Sequence, residues 1–119
     1  MIYFKSGDQT LAVTGLGYSK LVLVPPGSLG YKASQVQVTE IYPGDKVAKH
    51  RHIKQTEIIC GLSGVCTFVF EESEIILSPE DVLIVQPGDL HGARNDEMKT
   101  CRFLTVKLSY LGEDDTEWN

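Results

Sequence analysis

Hydrophobic positions in this chain come in short, closely fenced runs. Pieces four to nine residues long, rich in Val, Ile, Leu, Phe, Tyr and Thr, predict β-strands over Thr10–Thr14, Lys20–Val24, Gln35–Tyr42, Glu57–Gly61, Val65–Glu71, Glu74–Leu77, Asp81–Gln86, His91–Asn95 and Cys101–Ser109. Several runs are β-branched (Val36, Val38, Thr39, Ile41; Ile75, Ile76; Val82, Ile84, Val85), which suits a pleated surface. The separators carry turn chemistry: Pro25-Pro26-Gly27, Pro43-Gly44-Asp45, Ser63-Gly64, Ser78-Pro79 and Pro87-Gly88-Asp89. One stretch could argue for a helix, since Asp45 to Cys60 holds no Gly or Pro for sixteen residues. Its apolar residues Val47, Ala48, Ile53, Ile58 and Ile59 do not sustain an i, i+3, i+4, i+7 stripe, so it reads as a turn, then extended chain, then strand. Many short strands at close spacing predict an all-β sandwich or barrel.

Composition narrows the class. At 119 residues and 13.2 kDa the chain has room for one core, so residues 1–119 read as a single domain. Eleven Lys plus Arg against sixteen Asp plus Glu leave a net charge of -5, the wrong sign for a face that neutralises phosphates, so no nucleic-acid partner is expected. No apolar run approaches the roughly 20 residues that cross a bilayer, so no membrane partner is expected either. The opening MIYFKSGDQT meets Lys5 and Asp8 too early for the core of an export signal, and three cysteines, an odd number, argue against a disulfide framework. The expected location is therefore cytoplasmic. Gly112–Asn119 is acidic and reads as a loose tail, with Trp118, the only Trp, as a potential anchor. Glu71-Glu72-Ser73-Glu74 reads as a solvated hairpin tip.

The chain has three histidines, His50, His52 and His91. In a strand, side chains i and i+2 share a face, so the imidazoles of His50-x-His52 could converge on one point, which a helix would prevent. Glu57 follows five residues later, and imidazole plus carboxylate is a ligand set for a divalent first-row metal. His91 lies 34 residues beyond Glu57, and a barrel could return it to the same cavity. A single histidine is more often a surface or satisfied core residue than a ligand. The joint spacing with glycines carries more weight: Gly44, five residues, His50, one, His52, four, Glu57, six, Gly64.

That spacing, Gly44-x5-His50-x-His52-x4-Glu57-x6-Gly64, resembles the first motif of the cupin superfamily at every position. Glu80 to Asn95 is similar to the second motif, Gly-x5-Pro-x-Gly-x2-His-x3-Asn, with Gly88, His91 and Asn95 in place. It departs at Glu80, where the family usually has Gly, and at Gln86, where it usually has Pro. Both departures touch turn geometry and not ligation. The resemblance covers 44–64 and 80–95. It implies a cupin-type jelly-roll, a double-stranded β-helix barrel, in which His50, His52, Glu57 and His91 bind one metal. Three neutral imidazoles and one carboxylate suit Mn, Fe, Co, Ni or Cu, and Zn with fewer ligands, with affinity falling below about pH 6 as imidazole protonates.

The site would then carry a small-molecule ligand, with an anionic or enol-type one suited to the open metal positions. Two functions follow from the resemblance: a metal-dependent oxygenase, decarboxylase or isomerase, or a non-catalytic binding or sensor protein. A metal-free structural barrel is the weakest alternative. Lys46, Lys49, Arg51 and Lys54 surround the first motif and read as a solvated face rather than an anion funnel. Cys60, Cys66 and Cys101 read as small buried hydrophobes. Asn95 reads as fold support or pocket lining, and Gln55 and Thr56 could face either the site or solvent. Open β edges, with the N-terminal segment before Tyr42 adding edge strands, lead to an expected homodimer.

Overall fold

In a computed structural model of the protein, residues 1–13, 16–29, 34–110 and 115–119 are described. They form eleven β-strands. In chain order these are β1 (Thr10–Val13), β2 (Tyr18–Val24), β3 (Ser34–Ile41), β4 (Lys46–His52), β5 (Thr56–Ser63) and β6 (Cys66–Val69). The chain continues through β7 (Glu74–Leu77), β8 (Val82–Val85), β9 (His91–Arg94), β10 (Cys101–Leu108) and β11 (Thr116–Trp118). All pairs are antiparallel and make two sheets, ordered β1-β2-β3-β10-β5-β8 and β11-β4-β9-β6-β7. This is the expected all-β jelly-roll. Among the described residues no helix is long and apolar enough to cross a membrane.

The inner face of the larger sheet is graded from apolar to polar. On β10 the buried residues are Cys101, Phe103, Thr105 and Lys107, alternating with more exposed neighbours as a strand with one buried face must. Register carries each of them across the sheet. Cys101 lies opposite Ile41, and Phe103 opposite Thr39 and Gly61. Thr105 lies opposite Gln37 and Ile59, and Lys107 opposite Gln35 and Glu57. Tyr18, Ile41, Ile59, Cys66, Phe68, Leu77, Val85, Ala93, Cys101 and Phe103 form the core. Beyond it, Gln35, Gln37 and Thr39 are buried in a polar row, Gln35 Nε2 donating to Gln37 Oε1 (2.8 Å) and Gln37 Nε2 to Thr39 Oγ1 (3.1 Å). A one-residue slip would expel this whole set to solvent.

The structure differs from the sequence reading in two strands. Lys46–His52 is strand from its first residue, not a turn followed by extended chain. Its pairing with β9 shifts between Val47 and His50, where Ala48 and Lys49 face the single residue Gly92. This bulge breaks the period-two pattern that would have marked the strand. The second difference is the C-terminus: Thr116–Trp118 is not loose but pairs with β4, Thr116 against His52 and Trp118 against His50. Residues 112–114 of that tail, and Thr14 at the end of the first candidate strand, lie outside the described residues.

Other expectations hold. Glu71, Glu72 and Ser73 form an exposed hairpin tip closed by the Phe70 N–H to Ser73 carbonyl bond (2.8 Å). Cys66 and Cys101 are buried free thiols, and Cys60 is a half-buried one. A hydrogen bond to Cys101, with burial, pushes the Cys66 thiol far above its ordinary range, as suits an inert core residue. Asn95 is fold support: its Nδ2 donates to the Ile41 (2.9 Å) and Lys99 (2.7 Å) carbonyls and its Oδ1 accepts from the Glu97 N–H (2.9 Å).

Candidate metal centre

Four buried side chains from three strands meet inside the barrel. His50 and His52 project from β4, Glu57 from β5 and His91 from the start of β9, and each offers a ligand atom within 4.8 Å of the others'. The β4 bulge does the positioning. It sets His50 directly opposite His91 in register, with their ring centroids 4.3 Å apart. Gly92 permits it, because a Cβ there would lie 2.8 Å from the Val47 carbonyl oxygen and 3.2 Å from the Lys49 nitrogen. The Gln86–Asp89 turn delivers His91 and is tied to the other pair by the Gly88 N–H, which donates to the His52 carbonyl (2.8 Å). Arg51, between the two β4 histidines, registers with Glu117 and alternates away from them, as expected of a strand. Lys46 and Lys54 are exposed, and Lys49 and Arg51 partly so, a solvated face.

The remaining nitrogen of each ring is already engaged. Nδ1 of His50 bonds the Ala48 carbonyl (2.8 Å), Nδ1 of His91 the Asp89 carbonyl (2.9 Å), and Nδ1 of His52 the Thr116 hydroxyl (3.0 Å). A carbonyl only accepts, so His50 and His91 carry their proton on Nδ1 and leave Nε2 as a lone-pair donor. This arrangement orients an imidazole toward a metal. His52 Nε2 is fully buried and makes no hydrogen bond of acceptable geometry, although it lies 2.5 Å from Glu57 Oε1. His91 Nε2 lies 3.6 Å from the same oxygen. An orphaned nitrogen crowded against a carboxylate oxygen, in a ring of donors, fits a group that gathers around a cation. Metal bonds of about 2.0–2.2 Å would place opposite donors about 4.0–4.4 Å apart, close to the observed span. The group could therefore hold a metal ion.

Electrostatics point the same way. Burial lowers the His50 imidazole to about 4, against a smaller upward pull from its bond to Ala48, so it stays neutral at pH 7. Burial alone would raise the Glu57 carboxyl, but the His52 and His91 rings set against it outweigh burial and hold the group well below the usual carboxylate range. The set is thus three nitrogen donors and one carboxylate, the donor chemistry of a first-row transition metal.

The cluster opens into a cavity of about 60 Å³. Val47, Phe68 and Ala93 line its apolar side, and Thr39, Thr105 and Lys107 its polar side. Sequence reasoning did not connect four residues to the site. Lys107 is only 5% exposed and faces Glu57 across the β10–β5 ladder. Its ammonium sits 4.6 Å from the Tyr110 ring centroid. The signal was present in the phase of Cys101, Phe103, Thr105 and Lys107, one inward set ending in a cation. Thr116 fixes the His52 ring. Trp118 lies against His50 with centroids 4.5 Å apart. Asp115 backs both, its buried carboxylate accepting from the Lys54 and Gln55 N–H groups. Gln55 is buried but does not line the cavity.

A double-stranded β-helix with such a His-His-Glu-His group inside it defines a class, the metal-capable β-barrels. Residues 37–107, more than half of the sequence, match the family model for the cupin domain, and the chain belongs to the cupin family. Among solved structures it is similar to a predicted oxalate decarboxylase of Thermotoga maritima, with 20% identity over 90% of this chain and 98% of that one and a TM-score of 0.79. The polyketide cyclase RemF of Streptomyces resistomycificus shares 21% identity over 97% of this chain and 89% of that one, with a TM-score of 0.76. A cupin-superfamily sugar phosphate isomerase of Silicibacter pomeroyi shares 26% identity over 76% of this chain, with a TM-score of 0.66. There the match spans only 59% of the other chain's length. No curated protein sequence matches this one.

Proposed function

We propose that the protein is a metal-dependent cupin in which His50, His52, Glu57 and His91 hold one divalent Mn, Fe, Co, Ni, Cu or Zn ion, and that it oxygenates, decarboxylates or isomerises a small organic molecule. The observation that carries the reading is the direction of the three imidazoles: each engages Nδ1 outside the cluster and leaves Nε2 inside it, around one carboxylate. A bound ion would supply Lewis acidity, polarising an oxygen of the ligand. The barrel's own residues do the rest. Phe68, Phe103 and Ile59 keep the far wall dry, and the Gln35–Gln37–Thr39 row fixes polar groups before any ligand arrives. The related structures' names span an isomerase, a decarboxylase and a cyclase, so they support the barrel as a scaffold for small-molecule chemistry and leave the substrate open.

A second reading, a non-catalytic binding or sensor protein, has its own support: among the described residues Glu57, a ligand in this proposal, is the only carboxylate lining the cavity, so none of them offers a further acidic side chain as a general base. Elemental analysis of protein purified without an affinity tag tests the metal. About one transition-metal ion per chain is expected, and His50→Ala should lose most of it; metal content unaffected by that substitution contradicts the ligand set. Dioxygen-uptake and decarboxylation assays over small carboxylates and diketones then separate enzyme from binder.

The same proposal takes the 119 residues as one domain, working in the cytoplasm as a homodimer. Among the described residues the outer sides of β1 and β8, the edge strands of the larger sheet, pair with no further strand, which suits them to a second copy. Size-exclusion chromatography with light scattering should give twice the 13.2 kDa chain mass at micromolar concentration, and a particle of the single-chain mass refutes the dimer.

A further inference from the structure

One wall of the cavity carries hydrogen-bonding groups that the fold itself does not use. The cluster takes its three imidazoles from the smaller sheet, and the larger sheet closes the barrel opposite them, about 10 Å away at the usual separation of stacked sheets. On that opposite wall Gln37 and Thr39 of β3 and Thr105 of β10 line the cavity, all of them buried. Thr105 is 1% exposed and stands between Gln37 and Ile59 in register. It lies one inward rung, about 7 Å along the strand, from the position opposite Glu57.

A core with no other task would place valine here, which has the shape of threonine without a polar atom to satisfy. Among the described residues the Thr105 hydroxyl forms no hydrogen bond. The side-chain atoms there that lack a partner and are sealed from any space belong to Ser34, His52 and Gln55, and the Thr105 oxygen is not one of them. This hydroxyl is therefore unpaired and open to the cavity. The row beside it shows what kind of atom would satisfy the wall. Gln35 Nε2 donates to Gln37 Oε1, and Gln37 Nε2 donates to Thr39 Oγ1. The donations run one way, so the oxygens of Gln37 and Thr39 already accept from within the row. The second amide proton of Gln37 and the hydroxyl proton of Thr39 are left to give. With the Thr105 hydroxyl they make a wall of donors, which suits an acceptor oxygen of the carbonyl or carboxylate type. The cavity of about 60 Å³ holds roughly four to six water-sized groups, so the molecule that supplies this oxygen is compact.

We propose that Thr105 is a ligand-binding residue whose hydroxyl donates to a ligand oxygen lying away from the metal cluster, and that the ligand is a compact oxo acid or dicarboxylate with oxygens at both ends. This rests on the metal-binding reading above. Thr105 then sets specificity, because a site built to hydrogen-bond an oxygen rejects an analogue that ends there in a methyl group.

Calorimetric titration of cobalt-loaded protein with oxalate, pyruvate and 2,3-butanedione tests the proposal. The three share an O=C–C=O unit and carry two, one and no further oxygens. In the wild type oxalate and pyruvate should bind more tightly than butanedione. Thr105→Val removes the hydroxyl and keeps the shape and the β-branching, so cobalt content and melting temperature should hold. It should weaken oxalate and pyruvate about 10- to 100-fold, the usual range for a hydrogen bond to a charged acceptor, and leave butanedione within about twofold. Thr105→Ser, which restores the hydroxyl, should recover most of the loss. The substitutions are neutral, so a loss confined to the two acids reports the hydroxyl and not a change in charge. Equal losses for all three probes, or no loss for any, overturn the role of Thr105; the second result would mean that the hydroxyl holds only water. Butanedione binding as tightly as oxalate to the wild type, or no binding of either acid, overturns the ligand class. If the protein takes up no cobalt, the metal reading fails separately, and oxalate titration of the metal-free protein decides: binding that weakens in Thr105→Val supports the oxygen subsite, and no binding ends it.

Discussion

Two turns of the same design show what one residue contributes. In Gln86-Pro87-Gly88-Asp89 and Ser78-Pro79-Glu80-Asp81, the fourth N–H donates to the first carbonyl (3.1 and 3.0 Å), and the Asp carboxylate accepts from the first residue's N–H (both 2.9 Å). Proline second and a positive φ third is the type II pattern, which favours glycine at the third place. Gly88 meets that demand with φ 87°, but Glu80 adopts φ 73° with a side chain attached. The cupin resemblance already marked Glu80 as the residue standing where glycine is usual, and the structure supplies the reason glycine is usual. Glu80→Gly should therefore raise stability by about 0.5–1 kcal/mol and the melting temperature by about 2–4 °C, read by calorimetry. An unchanged or lower melting temperature would mean that the Glu80 backbone is not strained. His50, His52, Glu57 and His91 were legible because ligand spacing is a local property of strands and turns. Lys107 was not read, since a lysine at the end of a strand usually leads to solvent; the phase of β10 places it with the inward set, and the register with β5 sets it opposite Glu57.

At the scale of elements, legibility followed length and regularity. β3, β5 and β10, eight residues each, stand out by alternation or β-branched content. β4 did not, because its bulge resets the phase: Val47 and His50 both face the cavity although they stand three apart. β11 did not, because three residues in an acidic tail carry too little pattern, and its partner β4 lies more than sixty residues earlier. Yet β11 supports the site most directly. Thr116 holds the His52 ring, Trp118 covers His50, and the Asp115 carbonyl accepts from the Ile53 N–H (3.0 Å). Removing a group that orients a metal-bound histidine typically lowers affinity 10- to 100-fold. Thr116→Val, close to isosteric, should lower metal affinity by about that factor in a chelator competition while leaving the far-ultraviolet circular dichroism unchanged. Equal affinity in the two proteins would show that the hydroxyl does not hold the ring.

For the molecule as a whole, the buried polar cluster costs stability, and acid exposes the cost. The barrel buries three imidazoles, a carboxylate and a lysine where a purely structural core would place apolar groups. Without a metal, His50 must stay neutral in the folded barrel down to about pH 4, whereas in the unfolded chain it takes a proton near 6.5. The unfolded state therefore binds more protons across this window. The His50 contribution is fully present above pH 6.5 and is lost as pH falls toward 4, by about 2–3 kcal/mol at pH 4.5. Glu57 acts in the same direction at lower pH, since its folded carboxyl is held below its unfolded value and its contribution disappears as that group protonates. A loss of this size is a large share of the 5–15 kcal/mol that holds a typical domain together. The reading also moves the onset of proton competition at His50 below the pH 6 expected of an ordinary imidazole. Urea denaturation of chelator-treated protein at pH 7.5 and pH 4.5 should show the full loss, and His50→Gln, which cannot take up a proton, should show about 2–3 kcal/mol less of it. Equal pH dependence in the two proteins would mean that His50 is not buried in its neutral form, and with that the lone-pair geometry of the centre would fall as well.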